Sequence, residues 1–479
     1  MGLSKSLAQT RHALSHFRLS PFDTSTPEGR SRERHRRALL TGISALFAKV
    51  IAVSTSLVTI PMVLHYLGTE QFGLWMTISS VIAILGFADF GIGNGVLNAV
   101  ADANGQDNLE EIRRSISSAF ALLSLIAIAL LTTFAMLYRL VDWGHFFNLS
   151  SQLARREAGP ATAVFFVCFA LNVPADMVQR LQLGLQEGYI SKLWQLVGSI
   201  AGLAGVVLAI HFRLGLPWLL GALAGAPLLI TIANNIAFFG WMRTDLRPNL
   251  KLVSGTVARR IARLGLLFFV LQVVVAVAFS SDNLIVAKLL GPDAVTRYSI
   301  TAKMFSLISL GLSMFLGPLW PAYGEAVSRG DLAWVKRTLI WSIAIATLIA
   351  TAGATVLVSC GPVLLRFWVH QRISPPFLLL LGLGLWSVMD AAAQSVAMFL
   401  NGVNVIFSQA VVASVFAAGC LVLKLFFVRR FGLIGVPWAT LISYGLLSAL
   451  PFAILVPRVF SSLRKDPRSR VQNVALLNA

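Results

Sequence analysis

Ser115-Ile-Ser-Ser-Ala-Phe-Ala-Leu-Leu-Ser-Leu-Ile-Ala-Ile-Ala-Leu-Leu-Thr-Thr-Phe-Ala-Met-Leu-Tyr138 carries no charged side chain, and Arg113-Arg114 stands directly before it. A helix of about twenty apolar residues crosses the hydrocarbon core of a bilayer. In lipid every backbone N–H and C=O needs an internal partner, so such a run is predicted to be helical. Similar runs occupy 38–64, 72–100, 161–184, 191–211 and 216–242, then 264–288, 298–325, 339–366, 376–400, 406–428 and 435–459. With 115–140 they make twelve predicted spans. Internal Pro61, Pro174, Pro318 and Pro321 mark expected kinks, which membrane helices tolerate.

Composition agrees. The chain of 479 residues is 57% hydrophobic and 12% charged, with mean hydropathy +0.77. A soluble domain carries about 25% charged residues. The net charge of +19 on a soluble chain would point to nucleic acid. Here Lys and Arg sit mainly between the apolar runs, the pattern of cytoplasmic loops, so nucleic acid is excluded and membrane lipid is the expected anionic neighbour. With both termini placed in the cytoplasm, most basic residues fall on the inner side. Arg155-Arg156 and Arg429-Arg430 fall in outside loops and fit this topology poorly. Cys168, Cys360 and Cys420 share no metal-like spacing and read as small apolar core residues.

The halves repeat. Leu67-Gly68 recurs as Leu290-Gly291, a displacement of 223 residues (290 − 67). At the same displacement Glu70 matches Asp293, Trp75 matches Tyr298, Asp102 matches Glu325, and Arg113-Arg114 matches Lys336-Arg337. Six spans is an even number, so both halves enter the membrane in one direction, giving a parallel repeat. The predicted organisation is a basic cytoplasmic tail (1–37), a six-helix bundle (38–242), a cytoplasmic linker (243–263), a second six-helix bundle (264–459) and a cytoplasmic tail (460–479). Two such bundles are expected to enclose a central cleft and to alternate its access.

Three segments resemble the MOP transporter superfamily, and within it the Wzx-type flippases of bacterial polysaccharide synthesis. They are Tyr66-Leu-Gly-Thr-Glu-Gln-Phe-Gly-Leu-Trp75 with Phe87-Ala-Asp-Phe-Gly-Ile-Gly-Asn-Gly95, then Asp282-Asn-Leu-Ile-Val-Ala-Lys-Leu-Leu-Gly291, and Pro318-Leu-Trp-Pro-Ala-Tyr-Gly-Glu325. The resemblance covers about 60–120 and 280–340. It implies an all-α, V-shaped membrane transporter of the bacterial inner membrane. It also implies an undecaprenyl-pyrophosphate-linked oligosaccharide as cargo, with polysaccharide polymerase or export proteins as possible partners. A drug/cation antiporter of the same superfamily is the alternative, and its cleft should be acidic or apolar.

Ionisable residues inside spans are costly and are functional candidates by default. Lys49 and Lys303 are set well inside apolar sequence and are expected to face the cleft and contact phosphate or sugar, with snorkelling as the plainer reading. His65 and Lys288 are repeat partners at the outer mouth, with Arg297 nearby. Asp89, Asp282 and Asp390 are candidates either for ion coupling or for structural pairing, Asp89 with Lys49 or Lys303. Asp176 and Arg180, four apart on one helix face, are expected to pair. The loops 101–114 and 325–337, bearing Arg113, Arg114, Glu325, Lys336 and Arg337, are candidates for an inner gate, although topology signalling alone accounts for basic residues there. The sequence contains no nucleotide-binding Gly-rich motif, nucleophile elbow or metal-ligand cluster, so neither a cofactor nor an enzyme activity is expected.

Overall fold

The computed structural model describes residues 21–23, 26–85, 89–147, 149, 151–290, 292–369 and 375–465. Residues 1–20, Phe87, Gly291 and 466–479, which figure in the expectations above, lie outside the described residues. Two compact units divide the chain, Met1–Leu266 and Leu267–Ala479.

Among the described residues the chain is helical with no strand. Unit 1 begins with α1 (Pro27–Leu85), which breaks at Gly68, where φ is 74° and ψ is 175°. It continues through α2 (Ile92–Gly105), α3 (Leu109–Tyr138), the short α4 (Trp143–Phe146), α5 (Gln152–Ala175), α6 (Met177–Gly184) and α7 (Gly188–His211). A last span joins α8 (Leu216–Leu220), a π segment at Gly221–Gly225, α9 (Ala226–Ala237) and a second π segment at Phe238–Met242. Two 3₁₀ turns, Thr244–Leu246 and Leu250–Leu252, lead into α10 (Gly255–Leu290). Unit 2 goes on with α11 (Pro292–Leu316), α12 (Leu319–Ser328), α13 (Leu332–Val369), α14 (Phe377–Gly402) and α15 (Ile406–Phe431). Its last span joins α16 (Gly435–Tyr444), a π segment at Gly445–Ala449 and α17 (Leu450–Lys465).

Nine stretches of the described chain are long and apolar enough to cross a membrane. One of them, Ile406–Leu463, holds two spans, since Gly432 turns the chain at φ 61°. Helices α2 and α10, which fall in two of the twelve expected runs, are not among these nine stretches.

The repeat is visible inside each unit. In unit 1, Asp107 takes φ 54° and Asn108 then caps α3, its side chain accepting from Glu111 N at 3.0 Å. In unit 2, Gly330 takes φ 81° and Asp331 caps α13, accepting from Trp334 N at 3.2 Å. A cap of this kind satisfies one of the helix's orphan amides. Later matches use a displacement of 218 residues, for example 402 − 184. A Cβ at Gly184 would lie 3.0 Å from the carbonyl oxygen of Leu97, and one at Gly402 only 2.6 Å from that of Trp320. Leu97 and Trp320 are themselves repeat partners, so both units use a glycine at the same close helix contact.

The cores are apolar and local to each unit. In unit 1, Val96 and Val100 of α2 pack with Ile116 and Leu123 of α3, Leu181 of α6 and Phe238. A second cluster joins Val63, Trp75 and Ile78 to Ala158 and Val206. In unit 2, Tyr323, Trp334 and Phe399 form one cluster, and Val286, Phe305, Leu383 and Val428 another. Cys420 is buried, Cys168 half-buried and Cys360 exposed, all as free thiols.

Three boundaries differ from the sequence expectations. The first helix begins at Pro27 rather than near 38, because Glu33 accepts from Arg36 at 2.6 Å and from Arg37 at 2.8 Å, so a polar segment becomes helical by pairing its own charges. Arg155 and Arg156 lie within α5 rather than in a loop, and Arg155 Nε donates to Leu149 O at 2.7 Å. Arg429 and Arg430 end α15 instead of beginning a loop, a position that suits the negative end of the helix dipole.

Candidate functional site

The most heavily buried charge among the described residues is one the sequence reading passed over. Lys424 of α15 is fully buried. Its ammonium donates to Asp282 Oδ1 at 2.5 Å and to the Ala278 carbonyl at 2.9 Å. The Tyr298 hydroxyl donates to the other oxygen, Asp282 Oδ2, at 2.7 Å. The expected span 406–428 contains this lysine, although it is not among the candidate site residues. The signal was nevertheless present: Leu421-Val-Leu-Lys424-Leu-Phe-Phe-Val428 is apolar on both sides. Asp282 therefore makes a structural ion pair. Such a pair holds only with further hydrogen bonds satisfying its remaining groups, and Tyr298 and Ala278 supply them.

Asp390 of α14 has a different environment. It accepts from the Ser309 hydroxyl at 2.6 Å and from Gln394 Nε2 at 2.6 Å. Both donors are neutral, and no cation pairs with it among the described residues. Asp89 stands two residues before Gly91, the N-cap of α2, and accepts from Gly91 N at 2.9 Å and Gly93 N at 3.3 Å. Within unit 1 the considered pairing of Asp89 with Lys49 is not formed among the described residues; backbone amides at the helix start take that place. Asp176 and Arg180 do not pair either. Arg180 reaches the neighbouring helix instead and donates to Asn94 Oδ1 at 3.0 Å, next to Gly93.

The predicted cargo-binding cations are all exposed and carry no ion pair among the described residues: Lys49 and His65 on α1, Lys288 on α10, Arg297 and Lys303 on α11. Lys49 and His65 are separated by about 24 Å of helix at 1.5 Å per residue, so they belong to different membrane depths.

The predicted gate residues divide into held and free groups. Arg113 Nε donates to Asp245 O at 2.5 Å, Arg114 pairs with Glu110, and Glu111 pairs with Arg260 at 2.5 Å. The Asp245 carboxyl, outside the spans, is held below its ordinary range by hydrogen bonding from Arg243. In unit 2, Glu325 is buried and accepts from Arg329 at 2.6 Å. Lys336 and Arg337 are exposed. Among the described residues no three His, Cys, Asp or Glu side chains converge as metal ligands.

Among its described residues the chain is all-helical, and it carries many stretches able to cross a membrane, which makes it a multi-pass membrane protein. Solved structures share its fold. An outward-facing multidrug resistance MATE family transporter of the MOP superfamily matches with TM-score 0.75 at 14% identity, covering 90% of this chain and 97% of its own. A MOP superfamily transporter from Pyrococcus furiosus matches with TM-score 0.74 at 14% identity over the same shares. Residues 39–327 match the family described as polysaccharide biosynthesis protein, and the chain belongs to that family. A Yersinia pseudotuberculosis protein named for O-antigen export is 23% identical over 305 residues, which is 61% of this chain and 66% of that protein. A Salmonella typhi protein named for O-antigen transport is 22% identical over 306 residues, covering 63% and 67%. The chain thus spans about two thirds of the length of the curated relatives it matches.

Proposed function

We propose that this chain flips undecaprenyl-pyrophosphate-linked oligosaccharide repeat units across the bacterial inner membrane, by alternating access, for surface polysaccharide synthesis. Its termini are placed in the cytoplasm and it performs no bond chemistry of its own. The observation that carries this reading is that Lys49 and Lys303, exposed on membrane-spanning helices of a polysaccharide-biosynthesis family member, carry no ion pair among the described residues.

The physics follows from the cargo. The polyprenyl tail remains in lipid while the sugar and the pyrophosphate cross. A charge at the bilayer centre costs about 2.5–3.5 kcal/mol on insertion scales. Fixed ammonium groups along the path lower that cost for a dianionic headgroup. They are kept free of acids so that the phosphate is the ion that pairs with them. His65, Lys288 and Arg297 would receive the headgroup nearer the membrane surface. Asp89 and Asp390 are the acids available to a coupling ion, since Asp282 is committed to Lys424. The gate role of Arg113, Arg114, Glu325, Lys336 and Arg337 falls mainly to the held groups. Polysaccharide polymerase or export proteins are the partners such a flippase would serve.

The likeness to multidrug transporters favours one rival, a cation antiporter. A deletion strain separates the two. Loss of surface polysaccharide with lipid-linked repeat units trapped on the cytoplasmic leaflet is expected. Normal polysaccharide with new sensitivity to cationic drugs would overturn the flippase reading.

A further inference from the structure

An open groove of about 480 Å³ lies at the N-terminal end of α13, lined by Leu332, Ala333, Lys336, Arg337, Ile340, Trp341 and Phe460. Trp341 is 61% exposed and Ile340 is 56% exposed. Neither Lys336 nor Arg337 makes an ion pair or side-chain hydrogen bond among the described residues, and no acid lines the groove.

The repeat shows what such a face needs. In unit 1 the matching positions are Glu110, Arg113, Arg114, Ser117 and Ser118. The chain's own segment after the sixth span covers them. Asp245 O takes the Arg113 guanidinium, Asn249 N donates to Ser117 Oγ at 3.0 Å, and Ser254 N donates to Ser118 Oγ at 3.0 Å. Glu110 neutralises Arg114. In unit 2 these features change together. Ala333 replaces the acid, and Ile340 and Trp341 replace the two serines. The face loses its acceptors, keeps both cations and gains apolar area.

An occupant must therefore bring its own anion and its own hydrocarbon. We propose that this groove binds an anionic phospholipid, its phosphate between Lys336 and Arg337 and an acyl chain along Ile340, Trp341 and Phe460. A basic pair at the end of a membrane-spanning helix sits at headgroup depth, where each cation contributes to attraction for acidic lipid. The indole of Trp341, with its apolar body and N–H donor, suits the same interface. The site is independent of the cargo assigned above.

The test places a photo-crosslinker in the full chain as Trp341→p-benzoylphenylalanine, in nanodiscs of equal phosphatidylglycerol and phosphatidylcholine. Capture of phosphatidylglycerol is expected at about thirtyfold over phosphatidylcholine, from two cation contacts of about 1 kcal/mol each. Adding Lys336→Gln and Arg337→Gln should bring the ratio to parity while the melting temperature stays unchanged, because both side chains are exposed. Parity in the parent protein would overturn the proposal, as would a ratio insensitive to the two substitutions. Capture of the chain's own 466–479 peptide in place of lipid would also overturn it, and so would loss of capture in millimolar inorganic phosphate.

Discussion

Lys424 Nζ and Asp282 Oδ1 stand 2.5 Å apart inside the second unit, joining α15 to α10 across 142 residues of sequence. Their burial makes the pair a fastener between two spans. Removing one partner strands a buried charge, which costs about 3–5 kcal/mol, whereas removing both costs far less.

Lys424→Ala is therefore expected to lower the thermal melting point of the purified protein sharply, and Asp282→Asn to do so less. The double variant Lys424→Met with Asp282→Asn should recover most of the loss. A double-mutant cycle with no coupling between the two positions would show that the pair contributes nothing.

The glycine contact shared by both units yields a packing prediction. Gly402→Ala forces a Cβ to within 2.6 Å of Trp320 O and 2.8 Å of Tyr323 Cβ, both backbone or near-backbone atoms that cannot swing aside. Overpacking of this kind costs about 1–3 kcal/mol. Gly311→Ala, which meets nothing within 4 Å, serves as the control and should be neutral or stabilising by about 0.5–1 kcal/mol. Equal melting temperatures for the two variants would contradict the close contact.

Glu187 lies between α6 and α7, outside the spans, and burial pushes its carboxyl above the ordinary 4.5, against the pull of Arg37 and Arg243. The folded state thus holds the proton more tightly than the unfolded state. Stability falls as pH rises from about 4.5 toward the folded value and remains lower above it. Glu187→Gln should remove that slope, so its stability advantage over the parent grows with pH across the window. Melting curves over that range check this, and parallel curves would refute the burial effect.

Lys49→Ala and Lys303→Ala are expected to reduce transport of a lipid-linked oligosaccharide in proteoliposomes by about tenfold or more each, the equivalent of about 1.4 kcal/mol or more. Their melting points should stay close to that of the parent, because both side chains are exposed and carry no ion pair among the described residues. Arginine at either position should restore part of the rate. Unchanged transport in both alanine variants would remove the cationic path from the mechanism while leaving the fold intact.

Asp390→Asn preserves an acceptor for Ser309 and a shape that fits beside Gln394. It should leave the melting point nearly unchanged and abolish any dependence of transport on a proton gradient. Gradient dependence that survives in this variant would assign coupling elsewhere, with Asp89 next to test.

The sequence by itself determined the all-helical membrane architecture, the internal repeat and the kinship with a polysaccharide-biosynthesis family. These rest on local properties: apolar runs long enough for the bilayer, Lys and Arg placed between them, and short motifs recurring at one displacement. It also picked out Asp282 and Asp390 as charges inside spans. Which charge meets which was decided only by tertiary structure. Lys424 reaches Asp282, Arg180 bypasses Asp176 for Asn94, and Asp89 turns to backbone amides. Each choice depends on how helices distant in sequence rotate and pack, and hydropathy has no term for that. The same holds for the α13 groove: Arg113 and Lys336 occupy matching sequence positions, yet only the folded chain shows that a carbonyl from the following segment satisfies Arg113.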